Sequence, residues 1–541
     1  MAKLDKWELQ HRKNMQRYTR QVAEIYRAAA LEASAIGATI PKIRADKPFS
    51  FADYPITHDR ARKLLNDLKN GLQAAIMNGA NAEWTLANNK NSELARVVFG
   101  SMAGKLPKFA ERRYFTTNEE ARTAFLARAS EGLNLSDRVW RYTRQFKNEI
   151  ELGLDVGIRS GQSAAEMARD LKQYLQNPDK LFRRVRDIHG DLQPSKAMRA
   201  YHPGQGVYRS SYGNALRLTA DTTNEAYRTA DYLRWQQFDF VLGIHVGLSK
   251  AHPMVDICDT LVGDYPKDYK HTGFHVRCLC IATPILKTAD EVEEDLRLIG
   301  QGEEPTTGNT RRIESVPDSF NTWVAENESR SLGWKELPRF IRDNTKYAPD
   351  MYIGFCRKYA PEMDAVSQDI AQRMGVMVTP INIKSKESIM RKAASELHGL
   401  ASIKDMVRNT FIVPAEQAEA VMEEIRRKFD IMRVKSQKTP LGYTGTLINI
   451  RKGNTVAEIQ LNSAQMIYAK EPAAEAIIGK NLFALLQERS GLPAGLGHKY
   501  YEEWRVLDAL ETKTARQIGR MRELERLSSE YYAAIRAIML E

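Results

Sequence analysis

The chain has 541 residues, 43% of them hydrophobic, which is enough apolar surface for several packed cores and too much for a globally disordered polymer. Lys and Arg outnumber Asp and Glu by 80 to 68, a net charge of +12 with no run of five or six basic residues; this balance suits nucleic acid or an acidic protein surface and argues against sequence-specific DNA readout. Four cysteines exclude a disulfide framework and fit a reducing compartment, no apolar run reaches the ~18 residues of a membrane span, and the charged start Met1-Ala-Lys-Leu-Asp-Lys lacks a signal core.

Residues 1–150 read as helical. Trp7, Leu9, Met15, Tyr18, Val22, Ile25 and Tyr26 recur at near-helical spacing, and 61–79 and 135–152 repeat the pattern. Pro48, Pro55 and the patch Asn88, Asn89, Asn91 read as punctuation. The first fifty residues hold ten Lys/Arg against five Asp/Glu, which is either a solvated helix face or a docking arm for an acidic protein.

Residues 151–285 read as an α+β unit. Ser163, with Glu166 three residues on, makes a capping box for a helix. Tyr201-His-Pro-Gly, Leu216-Arg-Leu-Thr and Asn224-Glu-Ala-Tyr follow, and the run from Trp235 to His245 alternates enough for a pair of strands. The unit closes on Asp256-Ile-Cys-Asp259 and His275-Val-Arg-Cys-Leu-Cys280, which hold three of the four cysteines. Cys258, His275, Cys278 and Cys280 form one possible zinc set, with Asp256 or Asp259 as competing ligands; the other reading of the thiols is as small buried hydrophobes. Tyr201, Tyr208 and Tyr212 among Arg199, Arg209 and Arg217 would also suit stacking and phosphate contacts on RNA. Taken in order, the Gly-x-Ser helix, the Arg-Leu-Thr helix, the Trp strand, the Asp-x-Cys turn and the His-x-x-Cys-x-Cys end resemble the Mu F-like phage head morphogenesis domain. That resemblance implies a minor head protein with phage portal and capsid proteins as partners and phage DNA nearby. It implies residence in the virion, in the head interior or portal region, and in the bacterial host cytoplasm during assembly, with residues 1–150 as a portal-docking region.

Residues 286–365 read as a linker and a small helical segment. Acidic Glu291 to Glu294 and loop-like Gln301-Gly-Glu-Glu-Pro-Thr-Thr-Gly-Asn come first, then Phe320, Trp323, Asn327, Arg330 and Trp334.

Residues 366–541 read as a further α+β domain. A helix at 388–397 precedes a strand at 406–413, a helix at 415–429 and strands at 431–436, 445–450 and 455–461; helices at 474–489 and 498–538 end the chain. An enzyme acting on nucleotides needs cations for a triphosphate, separated carboxylates for Mg²⁺ and a flat group to stack on a base. Lys384 and Lys392 with Ser388, then Asp405 and Glu458, then Tyr443 in Gly442-Tyr443-Thr-Gly445 meet those needs. This order resembles the RelA/SpoT-type pyrophosphokinases and their small toxic relatives. The resemblance implies a nucleotidyltransferase-type α+β fold. It assigns Lys384, Ser388, Lys392, Arg408 and Gln460 to nucleotide binding, Asp405 and Glu458 to Mg²⁺ and catalysis, and Tyr443 to the acceptor's base. A ribose 3′-hydroxyl would attack the β-phosphorus of ATP, with Glu458 helping to remove the proton. Leu441 and Leu447 stand where the housekeeping synthetases carry Asn and His, so a guanosine nucleotide, an adenosine nucleotide and the tRNA 3′ end all stay open as acceptor.

The whole chain therefore reads as a multidomain α+β protein without membrane contact. It is a portal-associated minor head protein with a C-terminal pyrophosphokinase-like domain, a purely structural head protein whose C-terminal domain is inactive, or a toxin-like effector delivered by the head domain.

Overall fold

Helical periodicity dictates the first half of the chain. In α1 (Asp5–Ala38), residues Tyr18, Val22, Tyr26, Ala29, Ala33 and Ile36 step by three and four along one face and are buried. In α2 (Pro55–Phe99), Leu64, Leu68, Leu72, Ile76 and Ala80 do the same. Two short helices, α3 (Lys108–Phe115) and α4 (Glu119–Ala127), lead to α5 (Leu135–Arg159) and α6 (Ala164–Gln176). Ser163 and Glu166 form the reciprocal capping box that starts α6. Then α7 (Ser211–Gln237) packs with α1, α2, α5 and α6 around one apolar core that includes Phe146, Ile150, Leu154, Leu171 and Leu218.

The computed structural model describes residues 5–40, 43–44, 47–128, 133–177, 185–186, 192–193, 208, 210–249, 252, 254–306, 308–394, 399–452, 455–510 and 512–539. The expected roles of Arg199, Tyr201 and Arg209 lie outside the described residues. The chain divides into two units, Met1–Asn321 and Thr322–Glu541.

Unit 1 is mostly helical, with a small antiparallel sheet ordered β4-β3-β5, made of β3 (Val241–Gly247), β4 (Gly263–Pro266) and β5 (Ile281–Leu286). A two-residue ladder, β1 (Val185–Arg186) with β2 (Leu192–Gln193), precedes it. The helix α8 (Ile257–Leu261) lies between β3 and β4, and α9 (Ala289–Gly300) follows β5. Three readings of the sequence are corrected here. The patch Asn88, Asn89, Asn91 is no break: Asn88 and Asn91 lie inside α2 and donate to the carbonyls of Trp84 and Ala87 four residues back. Trp235 closes α7 rather than opening a strand pair, and Phe238 N–H caps that end by donating to Trp235 O. The acidic run from Glu291 is the start of α9, capped by Thr288 and holding Val292 and Ile299 in the interior.

A buried polar seam joins α1, α2 and α7. Lys90 Nζ lies 2.6 Å from Asp231 Oδ2 and 3.4 Å from Glu8 Oε1, and Asn91 Nδ2 donates to Asp231 Oδ1 at 2.7 Å. Tyr227 OH donates to Glu8 and stacks on His11, whose Nδ1 is 2.5 Å from Glu83 Oε2. Lys90 and Asp231 are both almost wholly buried, so each is tolerated only because the other is present.

Unit 2 is built on a mixed sheet in the order β6-β8-β11-β10-β9, with β7 also paired to β8. Its strands are β6 (Met377–Val378), β7 (Asn382–Ile383), β8 (Val407–Ile412), β9 (Asp430–Lys438), β10 (Thr444–Lys452) and β11 (Thr455–Asn462). Among the described residues of this sheet only the β8–β11 pair is parallel. One sheet face carries Val407, Phe411, Ile448, Ile450, Ala457, Ile459 and Leu461. These pack on α11 (Ala360–Met374) and α13 (Ala418–Lys428) through Met363, Ile370, Val421 and Ile425. The short helices α10 (Pro349–Arg357) and α12 (Lys386–Ala394) flank the start of the sheet in sequence. The chain ends in α14 (Ala464–Lys470), α15 (Ala474–Ile478), α16 (Lys480–Ser490), α17 (Leu496–Asp508) and α18 (Ala515–Arg536). The helices expected at 474–489 and 498–538 are thus each two. Gly479 at φ 80° breaks the first, and a Thr514/Gln517 capping box starts α18 anew.

Lys90→Met leaves Asp231 as an unpaired buried charge and should cost about 3–5 kcal/mol in urea unfolding of the intact chain, whereas Lys90→Met with Asp231→Leu should recover most of that loss. A single substitution without effect would mean that the seam is open to water.

Candidate functional site

The alternation of side chains along a strand sets the second face of the unit 2 sheet against the apolar one. In the parallel register Glu458 lies beside Arg408, Gln460 beside Thr410 and Asn462 beside Ile412. Across the antiparallel pairs Asn449 faces Glu458 and Arg433, and Leu447 faces Gln460 and Lys435. Arg433 and Lys435 are exposed, while Asn449, Glu458, Gln460 and Asn462 are each under one-tenth exposed. A row of buried polar groups thus runs under an exposed cationic edge strand.

Asp405 stands just before β8. Lys384 Nζ is 2.6 Å from its Oδ2 and Lys392 Nζ is 3.0 Å from its Oδ1. Lys384 precedes α12 and Lys392 lies on it, so β7, α12 and the entry to β8 together make this clamp. Arg357 Nη2 donates to Lys384 O at 2.7 Å and steadies that segment. Burial pushes the Asp405 pKa up, but the two ammonium groups outweigh burial and hold it below the usual carboxylate value of 3.8. Ser388, half-buried on α12, has its Oγ 3.1 Å from Ser385 Oγ.

Glu458 is surrounded differently. Gln460 Nε2 donates to its Oε1 at 2.8 Å and Asn449 Nδ2 to its Oε2 at 3.4 Å. Both donors are neutral, and among the described residues no cation forms an ion pair with this carboxylate. Tyr443 follows the tight turn at Gly442, with its OH accepting from Asn462 Nδ2 at 2.8 Å. Its ring packs edge-on against Tyr532 of α18, and Lys470 Nζ lies 5.5 Å from the ring centre. The turn is seated on α18: Arg536 Nη2 donates to Gly442 O at 2.6 Å, and a Cβ on Gly442 would come within 2.6 Å of Ser529 Cα. Gly442 also has φ 86°, a conformation that favours glycine.

The structure therefore gathers Lys384, Lys392 and Asp405 into one cluster and sets Arg408, Glu458 and Gln460 on one sheet face with the Tyr443 turn tied to it through Asn462. Sequence reasoning missed Asn449, Asn462, Arg433 and Lys435, though period-two counting from Glu458 would have found Asn462 on the same face. In unit 1, Cys258, Cys278 and Cys280 meet, and His275 pairs with Asp256, its Nε2 3.1 Å from Asp256 Oδ2, with both residues offering a ligand atom within 4.8 Å of Cys258 Sγ.

No family model matches the chain. Over 180 residues it is 36% identical to the (p)ppApp synthetase toxin Tas1 of Pseudomonas aeruginosa strain UCBPP-PA14, a match covering 32% of this chain and 39% of that protein. The chain thus spans well under half the length of that relative. It is also 34% identical to a chain in the crystal structure of the complex between the Type VI effector Tas1 and its immunity protein, covering 34% of this chain and 94% of that one at a TM-score of 0.30. A superposition with that score carries no structural argument. The homology supports the RelA/SpoT-like reading of the C-terminal part and lends nothing to the head-morphogenesis reading.

Two outcomes test this geometry. Gly442→Ala must both strain the turn and push α18 away, and should cost about 1–3 kcal/mol in thermal or urea unfolding; a neutral result would mean the turn is not seated on α18. Because the Asp405 pKa is lowered in the fold, its stabilising pairing is complete above the ordinary carboxylate range and lost as pH falls through the lowered value. The stability deficit of Asp405→Asn should therefore be constant near neutral pH and shrink in acid, as read from urea unfolding across that range.

Proposed function

We propose that unit 2 is a toxin-type pyrophosphokinase that moves the β,γ-pyrophosphoryl group of ATP to the ribose 3′-hydroxyl of an adenosine nucleotide. The observation that carries this reading is the carboxylate pair in two different settings: Asp405 is clamped by two lysines, and Glu458, among the described residues, is hydrogen-bonded by neutral amides. The printed activity of the relative, a (p)ppApp synthetase toxin, favours adenosine among the acceptors the sequence leaves open. Leu441, buried, and Leu447, half-buried, are in keeping with a departure from the guanosine enzymes.

Each lysine ammonium has three donors. Lys384 can keep one on Asp405 and turn another to a phosphate oxygen, and part-exposed Lys392 adds positive charge beside it, which fixes the triphosphate against the sheet. Arg408, Arg433 and Lys435 extend the positive field along the polar face. Glu458 and Asp405 supply hard carboxylate oxygens that fit Mg²⁺. When bound, Mg²⁺ offsets phosphate charge and orients the leaving group. Tyr443, its hydroxyl held by Asn462, offers a fixed ring face for the acceptor's base. The 3′-oxygen forms a bond to the β-phosphorus, the bond from that phosphorus to the α,β-bridging oxygen breaks, AMP leaves, and Glu458 takes the hydroxyl proton.

The head-morphogenesis role of residues 151–285, with portal and capsid partners and a place in the virion, rests on motif order alone. Copurification of the intact chain with phage particles tests it, and absence from particles favours the delivered-effector reading.

With Mg²⁺ and β-labelled ATP, the intact chain should label an adenosine acceptor in preference to GDP, GTP or tRNA. Glu458→Gln should lower turnover about 10²–10⁴-fold, and Tyr443→Ala should raise the acceptor KM more than it lowers kcat. A folded wild-type chain that labels none of these acceptors overturns the proposal.

A further inference from the structure

Three of the chain's four cysteines form a cluster in unit 1 that the nucleotide chemistry does not use. Cys258 lies in α8, and Cys278 and Cys280 lie on the segment entering β5. Their exposures are 0%, 1% and 4%. The three sulfurs all lie within 4.8 Å of one another, and Cys258 Sγ and Cys278 Sγ are 3.7 Å apart. A disulfide needs about 2.05 Å. A tetrahedral zinc ion with Zn–S bonds of about 2.3 Å sets its sulfur ligands about 3.8 Å apart, and the observed spacing matches one edge of that tetrahedron.

Charge points the same way. Arg228 is 8% exposed, and its Nη2 donates to Cys278 O and Cys280 O at 2.8 Å each. Its Nη1 has no hydrogen-bond partner, and no carboxylate is ion-paired with it among the described residues. A Cβ on Gly273 would meet Arg228 Nη1 at 2.4 Å and Cys278 Cβ at 3.1 Å, so glycine there lets the guanidinium lie against Cys278. A guanidinium stays protonated in proteins, and a buried charge requires a counter-charge. Three thiolates on a divalent cation carry one net negative charge, which Arg228 cancels. Arg277, just before Cys278, holds φ 60° without being glycine, a conformation kept only where its surroundings demand it.

We infer that Cys258, Cys278 and Cys280 hold a zinc ion as thiolates, with Arg228 balancing the charge and the Asp256–His275 pair supplying the fourth ligand. The thiol protons are released on binding. Asp256 and His275 each offer a ligand atom within 4.8 Å of Cys258 Sγ. His275 Nδ1 lies 2.7 Å from Val276 O. A proton donated there lets Nε2, which faces Asp256 Oδ2 at 3.1 Å, take a metal once its own proton is released, and a bonded Nδ1 is the arrangement that orients metal-binding histidines.

The intact chain, stripped of metal under reducing conditions, is titrated with Co²⁺ and then Zn²⁺. The expected result is one ion per chain by elemental analysis, a thiolate-to-cobalt charge-transfer band that zinc abolishes, and protection of three thiols from alkylation. Cys356→Ser should keep the band, Cys278→Ser and Cys280→Ser should weaken it, and Asp256→Asn should lower affinity about 10–100-fold. A folded wild-type chain that gives no charge-transfer band, or in which mass spectrometry finds a disulfide among the three, overturns the inference. Because the results that overturn the inference are read on the wild-type chain, loss of folding in a variant does not blur them.

Discussion

The parallel pairing of β8 with β11 is the constraint on which unit 2 depends. These strands are some fifty residues apart in sequence, and everything between them must cross over and return. The chain does so through α13, β9 and β10, and α13 covers the apolar face that the crossover creates. Because side chains alternate along a strand, burying Val407, Ile459 and Ile448 on one side forces Arg408, Glu458 and Asn449 to the other. A slip of one residue in that pairing would put Glu458 under the helices and leave the polar face without its carboxylate. Fold and site are here consequences of one register.

The two units use buried charge in opposite ways. In unit 1, Lys90 is closed off among Asp231, Glu8 and the rings of Tyr227 and Trp235, and its donors are spent inside the protein. That arrangement positions α2 against α7 and has nothing left to offer a ligand. In unit 2, Lys384 and Lys392 are part-exposed and meet on Asp405, so both ammonium groups stay within reach of solvent. Glu458 is buried, hydrogen-bonded by Gln460 and Asn449 and beside Arg408 in the strand register. An ion pair sealed from solvent is structural, whereas one that solvent reaches is open to a ligand.

The places where sequence reading failed share a cause. Asn88 and Asn91 are turn formers by propensity, yet inside α2 their amides bond back to helix carbonyls and, for Asn91, to Asp231 on α7. Trp235 sits in a run that alternates like a strand, but its side chain belongs to the buried stripe of α7. The acidic residues from Glu291 read as a linker because charge outweighed Val292 and Ile299, the two apolar residues that α9 buries. In each case a tertiary contact overrode a local preference.

What the sequence by itself determined is the local grammar: the amphipathic stripes of α1 and α2, the capping box of α6, the alternation of β8, β10 and β11, and the chemical character of Lys384, Lys392, Asp405, Glu458 and Tyr443. These follow from propensity and period, which act over a few residues. Tertiary structure alone decided that the two lysines meet on Asp405, that Asn449 and Gln460 converge on Glu458, and that the Gly442 turn rests on α18. It also decided that His275 pairs with Asp256 beside Cys258. Such meetings depend on strand register and helix packing between residues tens of positions apart, and no periodicity along the chain encodes them.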